Sequence, residues 1–152
     1  MTVSFFGHAR FQPTEEYTRK ILEFLEDRVG DDSADLYLGG YGEFDAFAYE
    51  CCKKYKSMHP NVKLIFVTPY VTLEYQRNHL EYQKMRYDAI VYPEIEHRPL
   101  KFAIFYRNRW MIEKADCAIF GIAHDWGGAY TAYRYAKKQK KPMINVTGKE
   151  LP

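Results

Sequence analysis

The run Ala34-Asp35-Leu36-Tyr37-Leu38 leads straight into Gly39-Gly40-Tyr41-Gly42-Glu43-Phe44-Asp45, and this passage decides the fold. After the glycines, Phe44, Phe47, Ala48, Cys51, Cys52 and Tyr55 recur at spacings of three and four, so the passage reads as strand, turn and amphipathic helix. The same grammar returns near the C-terminus. The apolar run Cys117–Phe120 is followed by Gly127-Gly128, and then by Ala129, Ala132, Tyr133 and Ala136 on one helical side. Glycine has no Cβ, so backbone N–H groups can close on a ligand there. A helix N-terminus adds unsatisfied N–H donors and a partial positive charge. Two such turns suit a phosphate-bearing, nucleotide-like ligand. The alternative is two tight turns that need glycine for packing and bind nothing.

Strands and helices alternate along the rest of the chain. Val3–Phe6 reads as a strand stopped by Gly7, and Pro13-Thr14-Glu15-Glu16 opens a helix whose apolar face is Tyr17, Ile21, Leu22 and Leu25. Val62–Val67 is a continuous apolar run ended by Thr68-Pro69, as expected of a strand buried on both faces. Ala89–Tyr92 and Met143–Val146 read as further strands, and Phe102–Lys114 as a helix. Val71–Tyr87 is polar and weakly patterned, with Leu73, Leu80 and Tyr87 hinting at a helix, a lid or an irregular excursion. The expected fold is therefore α/β and Rossmann-like: a mainly parallel sheet with helices on both faces, in a single domain over residues 1–152. In such sheets ligands bind beyond the carboxyl ends of the strands, where strand order reverses. Gly7, His8 and Arg10, the Gly39–Gly42 turn, and the Gly121–Gly128 loop with His124 all fall on that edge.

Composition narrows the function. The net charge of +2 lacks the basic excess of a dedicated nucleic-acid surface, so nucleic acid is not the expected partner. The basic run Lys137–Lys141 complements the end of the last helix. Three cysteines without disulfide spacing suit a reducing, cytoplasmic compartment, and Cys51 and Cys52 read as core. No apolar run reaches membrane-spanning length, and the N-terminus does not read as a signal peptide. His8, His59, His79, His97 and His124 have no metal-ligand spacing, so no metal is expected; no cofactor is required, and the expected small molecule is the nucleotide-like ligand.

Several motifs resemble the SLOG superfamily. These are Phe6-Gly7-His8-Ala9-Arg10, the GGYGEFD stretch Gly39–Asp45, Arg107-Asn108-Arg109-Trp110-Met111, Ala115-Asp116 and Trp126-Gly127-Gly128-Ala129. The resemblance runs from Phe6 to Val146 and is nearest to the small YpsA-like branch. The superfamily also holds the LOG phosphoribohydrolases and DprA. The resemblance implies a Rossmann-like fold, a nucleotide or ADP-ribose-like ligand at the glycine edge, and a homodimer or larger homo-oligomer. It also makes Arg107 similar to the catalytic arginine of the LOG enzymes, with Met111 and Ala115-Asp116 at the matching spacings. The second LOG motif departs: Trp126 stands for its proline and Arg134 for its catalytic glutamate. A guanidinium neither stabilises an oxocarbenium-like sugar nor activates water. Replacement carboxylates near the edge are Glu43, Asp45 and Asp125, so the catalytic candidates are Arg107, Glu43, Asp45 and Asp125.

Each candidate has a plainer role beside the functional one. Glu43 and Asp45 sit in a first helical turn, where acids are favoured in any case, and Asp125 sits in a loop. His8 and His124 could meet at the ligand edge or be structural. Arg10 could read a phosphate or be an ordinary surface arginine. Tyr41 and Trp126 could stack on a base, and the Thr131 hydroxyl could bond a phosphate or merely the helix start. The expected ligand-binding set is Gly7, His8, Arg10, Gly39, Gly40, Tyr41, Gly42, Arg107, Trp126, Gly127, Gly128 and Thr131. Three readings follow in order: a module that binds or senses a phosphorylated nucleoside, a nucleoside-monophosphate N-glycosidase, and a DprA-like single-stranded DNA binder.

Overall fold

Six parallel strands form one sheet in the computed structural model, which describes residues 1–69, 76–95 and 98–152. The strands are β1 Thr2–Gly7, β2 Ala34–Leu38, β3 Val62–Val67, β4 Ala89–Val91, β5 Cys117–Gly121 and β6 Met143–Asn145. Their order is β4-β3-β2-β1-β5-β6, and every pairing is parallel. The interior strand β5 is buried at all five positions, which is why its sequence is a continuous apolar run rather than an alternating one. The Leu73 part of the Val71–Tyr87 reading lies outside the described residues. Its later part forms a π-helical turn, Gln76–Leu80, which runs into helix α3, Glu81–Arg86.

Two helices cover each face. α1 Glu15–Arg28 and α2 Glu43–Met58 pack Ile21, Leu25, Phe44, Ala48, Cys52 and Tyr55 against Val3, Phe5, Leu36, Leu64 and Ile119. α4 Ala103–Lys114 and α5 Gly128–Lys138 pack Met111, Ile112, Ala132, Tyr133 and Ala136 against Phe6, Ile65, Ala118 and Phe120. The neighbours Phe5 and Phe6 thus serve opposite cores, as the two-residue period of a strand requires. α1 begins where its sequence signature puts it: Thr14 is the N-cap and accepts a hydrogen bond from the Tyr17 N–H at 3.1 Å. Cys51, Cys52 and Cys117 are free and buried.

One contact fixes where α2 meets the sheet. The Phe44 ring is fully buried and lies against the last residues of β1 and β5, with Phe11 edge-on at 5.0 Å. A Cβ on Gly7 would stand 2.0 Å from the Phe44 ring, and one on Gly121 would stand 2.3 Å away. Both residues are glycine because the ring occupies that space. Phe44→Ala is therefore expected to cost about 3–5 kcal/mol, and Gly121→Ala about 1–3 kcal/mol by overpacking. In urea denaturation the Gly121→Ala penalty should shrink when it is made on a Phe44→Leu background, because the two changes share one space.

Candidate functional site

Strands β2, β3 and β4 lie on one side of β1, and β5 and β6 on the other, so strand order reverses between β1 and β5. A cavity of about 700 Å³ opens there, in the crevice where doubly wound sheets hold ligands. Gly7, His8, Ala9 and Arg10 line it from the end of β1, and Gly39, Tyr41 and Asp45 from the β2–α2 turn. Ile104, Arg107, Asn108 and Met111 line it from α4, and His124, Trp126, Gly127, Gly128 and Ala129 from the β5–α5 turn.

The two glycine turns share a backbone shape but differ in use. Gly42 caps α2 at φ 91°, ψ 177°, and Gly127 caps α5 at φ 94°, ψ 175°, a region open essentially to glycine alone. At α2 the first donors are already taken. The Glu43 N–H bonds the Ala9 carbonyl at 2.8 Å, the Phe44 N–H bonds the His8 carbonyl at 3.3 Å, and the Tyr41 N–H bonds Asp45 Oδ2 at 2.8 Å. Its glycines are filled in as well: a Cβ on Gly39 would meet Arg107 at 2.8 Å, one on Gly40 would meet Phe66 at 2.4 Å, and one on Gly42 would meet the Ala9 backbone at 2.7 Å. Gly40 and Gly42 are absent from the cavity lining, contrary to the expectation from sequence. Their glycines are packing glycines, and this turn docks the β1–α1 loop.

At α5 the first helical bond runs from the Thr131 N–H to the Gly127 carbonyl at 3.0 Å. The N–H groups of Gly128, Ala129 and Tyr130 are therefore left without an intrahelical acceptor, and they have no other acceptor among the described residues. A Cβ built on Gly127 or Gly128 meets nothing within 4 Å. Gly127 needs glycine for its φ. Gly128 does not, and no neighbour demands it.

Arg107 lines the cavity but is only 5% exposed. Its Nη1 donates to the Gly39 carbonyl at 3.1 Å and the Val67 carbonyl at 3.0 Å, and its Nε donates to Asn108 Oδ1 at 3.0 Å. The guanidinium thus ties the ends of β2 and β3 to α4. Of the candidate carboxylates, Asp45 is buried and lines the cavity, whereas Glu43 and Asp125 are exposed and do not line it. Burial pushes the Asp45 carboxyl up to about 6, against the opposing pull of the Tyr41 N–H and of Arg107. The Thr131 hydroxyl bonds the Gly127 carbonyl at 3.1 Å and lies outside the cavity, so its contact is the helix-start one.

His8 and His124 do meet. Their rings stack at 3.5 Å, and Trp126 stacks on His124 at 3.7 Å. The three-ring stack starts at a buried residue and ends at an indole that is 67% exposed. The Ala123 N–H donates to His8 Nε2 at 3.0 Å, which assigns the ring proton to Nδ1. Burial, and then His124, push the His8 pKa down to about 4. His124 Nδ1 is buried without a hydrogen-bond partner. Sequence reasoning missed Ile104 and Asn108, although their spacing from Arg107 and Met111 puts all four on one helical face.

Known proteins bear on the fold. No protein-family model matches the sequence, and no curated protein sequence matches it. DNA processing protein A from Helicobacter pylori, a solved structure described by its single-stranded DNA binding mode, matches 94% of this chain with a TM-score of 0.59 and 21% identity. The chain spans 63% of that protein's length. This chain and that protein therefore share a Rossmann-like α/β fold. Among the described residues no helix is long and apolar enough to cross a membrane, and no cluster of three or more His, Cys, Asp or Glu side chains could hold a metal ion.

His8 and Asp45 oppose each other in acid. The Asp45 carboxyl titrates near 6 when folded against an ordinary 3.8, so its effect lowers stability as pH rises through that interval. His8 titrates near 4 against an ordinary 6.5, so its effect raises stability across nearly the same interval. Asp45→Asn keeps an acceptor for the Tyr41 N–H and removes only the first slope. Its stability in urea should climb from about pH 4.5 to 6.5 more steeply than that of the wild type.

Proposed function

We propose that the cavity binds a phosphorylated nucleoside or an ADP-ribose-like molecule, and that the chain is a nucleotide-binding, sensor-type module of the SLOG kind, near its YpsA-like branch. Gly128 carries this reading. It is a glycine that neither backbone strain nor packing requires, at a helix start with three unclaimed N–H donors. Space kept clear in front of such donors suits a phosphate. The exposed face of Trp126 beside it suits a stacked base. Arg107, committed to the strand ends, shapes the cavity floor rather than reaching out to the ligand. No cofactor or metal is needed for binding alone. A homodimer in the cytoplasm goes with the same reading, and sedimentation of the purified chain would measure the dimer.

One observation favours a second reading, nucleoside-monophosphate hydrolysis. Asp45 faces the cavity with a carboxyl pushed up to about 6, and a group titrating near neutrality can give and take protons. Incubation with adenosine monophosphate and an assay for free adenine separates the two. Steady turnover lost in Asp45→Asn would establish the hydrolase and remove the sensor.

The binding reading makes a paired prediction. Gly128→Ala should leave the fold as stable or raise its stability by up to about 1 kcal/mol, since alanine is the better helix former. The same change should weaken adenosine monophosphate binding by about tenfold or more, read by quenching of Trp126 fluorescence. Gly42→Ala, at positive φ and against Ala9, should instead cost about 1–3 kcal/mol of stability. Unaltered affinity in Gly128→Ala would remove the phosphate from this turn.

A further inference from the structure

A groove of about 610 Å³ runs between α4 and α5 and is continuous with the cavity, since Ile104, Asn108 and Gly128 line both. Gly128, the position that keeps space clear for a phosphate, stands at the junction. Beyond it the groove is basic, with Arg109 from α4 and Arg134 and Lys138 from α5. Arg134 and Lys138 are exposed, sit one turn apart on the same helical face, and have no hydrogen-bond or ion-pair partner among the described residues. Like charges at that spacing repel, and no acid among the described residues forms an ion pair with either. Arg109 is held over the Tyr135 ring at 4.4 Å and the Phe105 ring at 5.6 Å. Phe105, 38% exposed, and Tyr130 give the groove aromatic surface beside its cations. The helix rise puts the Cα of Arg134 roughly 9 Å along α5 from Gly128, within the span of a second nucleoside unit.

We propose that this groove is a second compartment of the same site, and that the ligand is of the dinucleotide class: two nucleoside units joined through phosphate. The proposal rests on the reading of the cavity as a nucleotide site. The first unit lies in the cavity against Trp126, and the phosphate sits on the N–H groups at Gly128. The second unit lies in the groove, its anionic part on Arg134 and Lys138 and its base against the aromatic rings. A free dinucleotide and the end of a single strand present the same chemistry.

The test titrates the purified chain with adenosine monophosphate, with 5′-phosphorylated adenylyl-adenosine, and with an oligodeoxynucleotide of about 12 residues. It compares the wild type with the double variant Arg134→Glu/Lys138→Glu. The dinucleotide should bind about tenfold tighter than the monophosphate. The double variant should abolish that preference while leaving monophosphate affinity intact, and should lower the salt slope of dinucleotide binding by about 1. Equal affinities, or a preference that survives the double variant, would overturn the groove assignment and leave the cavity reading in place. Failure of both small ligands to bind would overturn the cavity reading itself. An oligonucleotide that binds with the dinucleotide's dependence on Arg134 and Lys138 identifies a strand end as the source; one that binds while the dinucleotide does not would refute the proposal. Loss of a homodimer in the double variant, with dinucleotide affinity unchanged, would assign the groove to self-association and also refute it.

Discussion

The fold turns on one aromatic ring set against two absent side chains. Phe44 occupies the volume that Cβ atoms on Gly7 and Gly121 would need, at the place where strand order reverses. That contact seats the first turn of α2 on the ends of β1 and β5. It also brings the carbonyls of His8 and Ala9 within reach of the helix's first donors. The crevice is therefore walled on one side by a turn whose Tyr41, Glu43 and Phe44 N–H groups are already bonded within the chain. Open donors are left to the β5–α5 turn, the ring stack runs from His8 through His124 to Trp126, and the closed turn itself contributes the Asp45 carboxyl.

The two turns show how one local solution serves two ends. Their capping glycines agree to within a few degrees in φ and ψ, so the backbone alone does not distinguish them. What surrounds them does. At α2 each glycine is opposed by an atom of the chain, and at α5 none is. A closed turn contributes stability, and an open one leaves donors unsatisfied. Open donors at a helix start are tolerable in water and become useful when an anion arrives.

Much of this was legible in the sequence because periodicity reports burial. The continuous run at Cys117–Phe120 and the three- and four-residue spacings after Phe44 specify elements whatever the tertiary partner. The site was legible only in part. Residue type near a strand end puts His8, Gly39, Tyr41, Trp126 and Gly128 at the sheet edge, and all five line the cavity. It did not reveal that Gly40 and Gly42 are packing glycines, because an occupied and a vacant glycine look alike until the opposing atom is known. Arg107 was similarly ambiguous: its spacing puts it on the right helical face, but the two carbonyls that engage it, of Gly39 just past β2 and Val67 at the end of β3, are 68 and 40 residues away in sequence. Asp45 and Glu43 are both first-turn acids, and only burial separates them.

The sheet's margins carry a consequence of their own. β4 and β6, the outermost strands, are three residues each. So short a ladder offers a poor template for another strand, which is how parallel sheets avoid running together into aggregates. Copies of this chain that associate should therefore meet through helical surfaces and not by extending the sheet from one molecule to the next. Each edge of the sheet thus presents only a three-residue ladder to a neighbouring molecule.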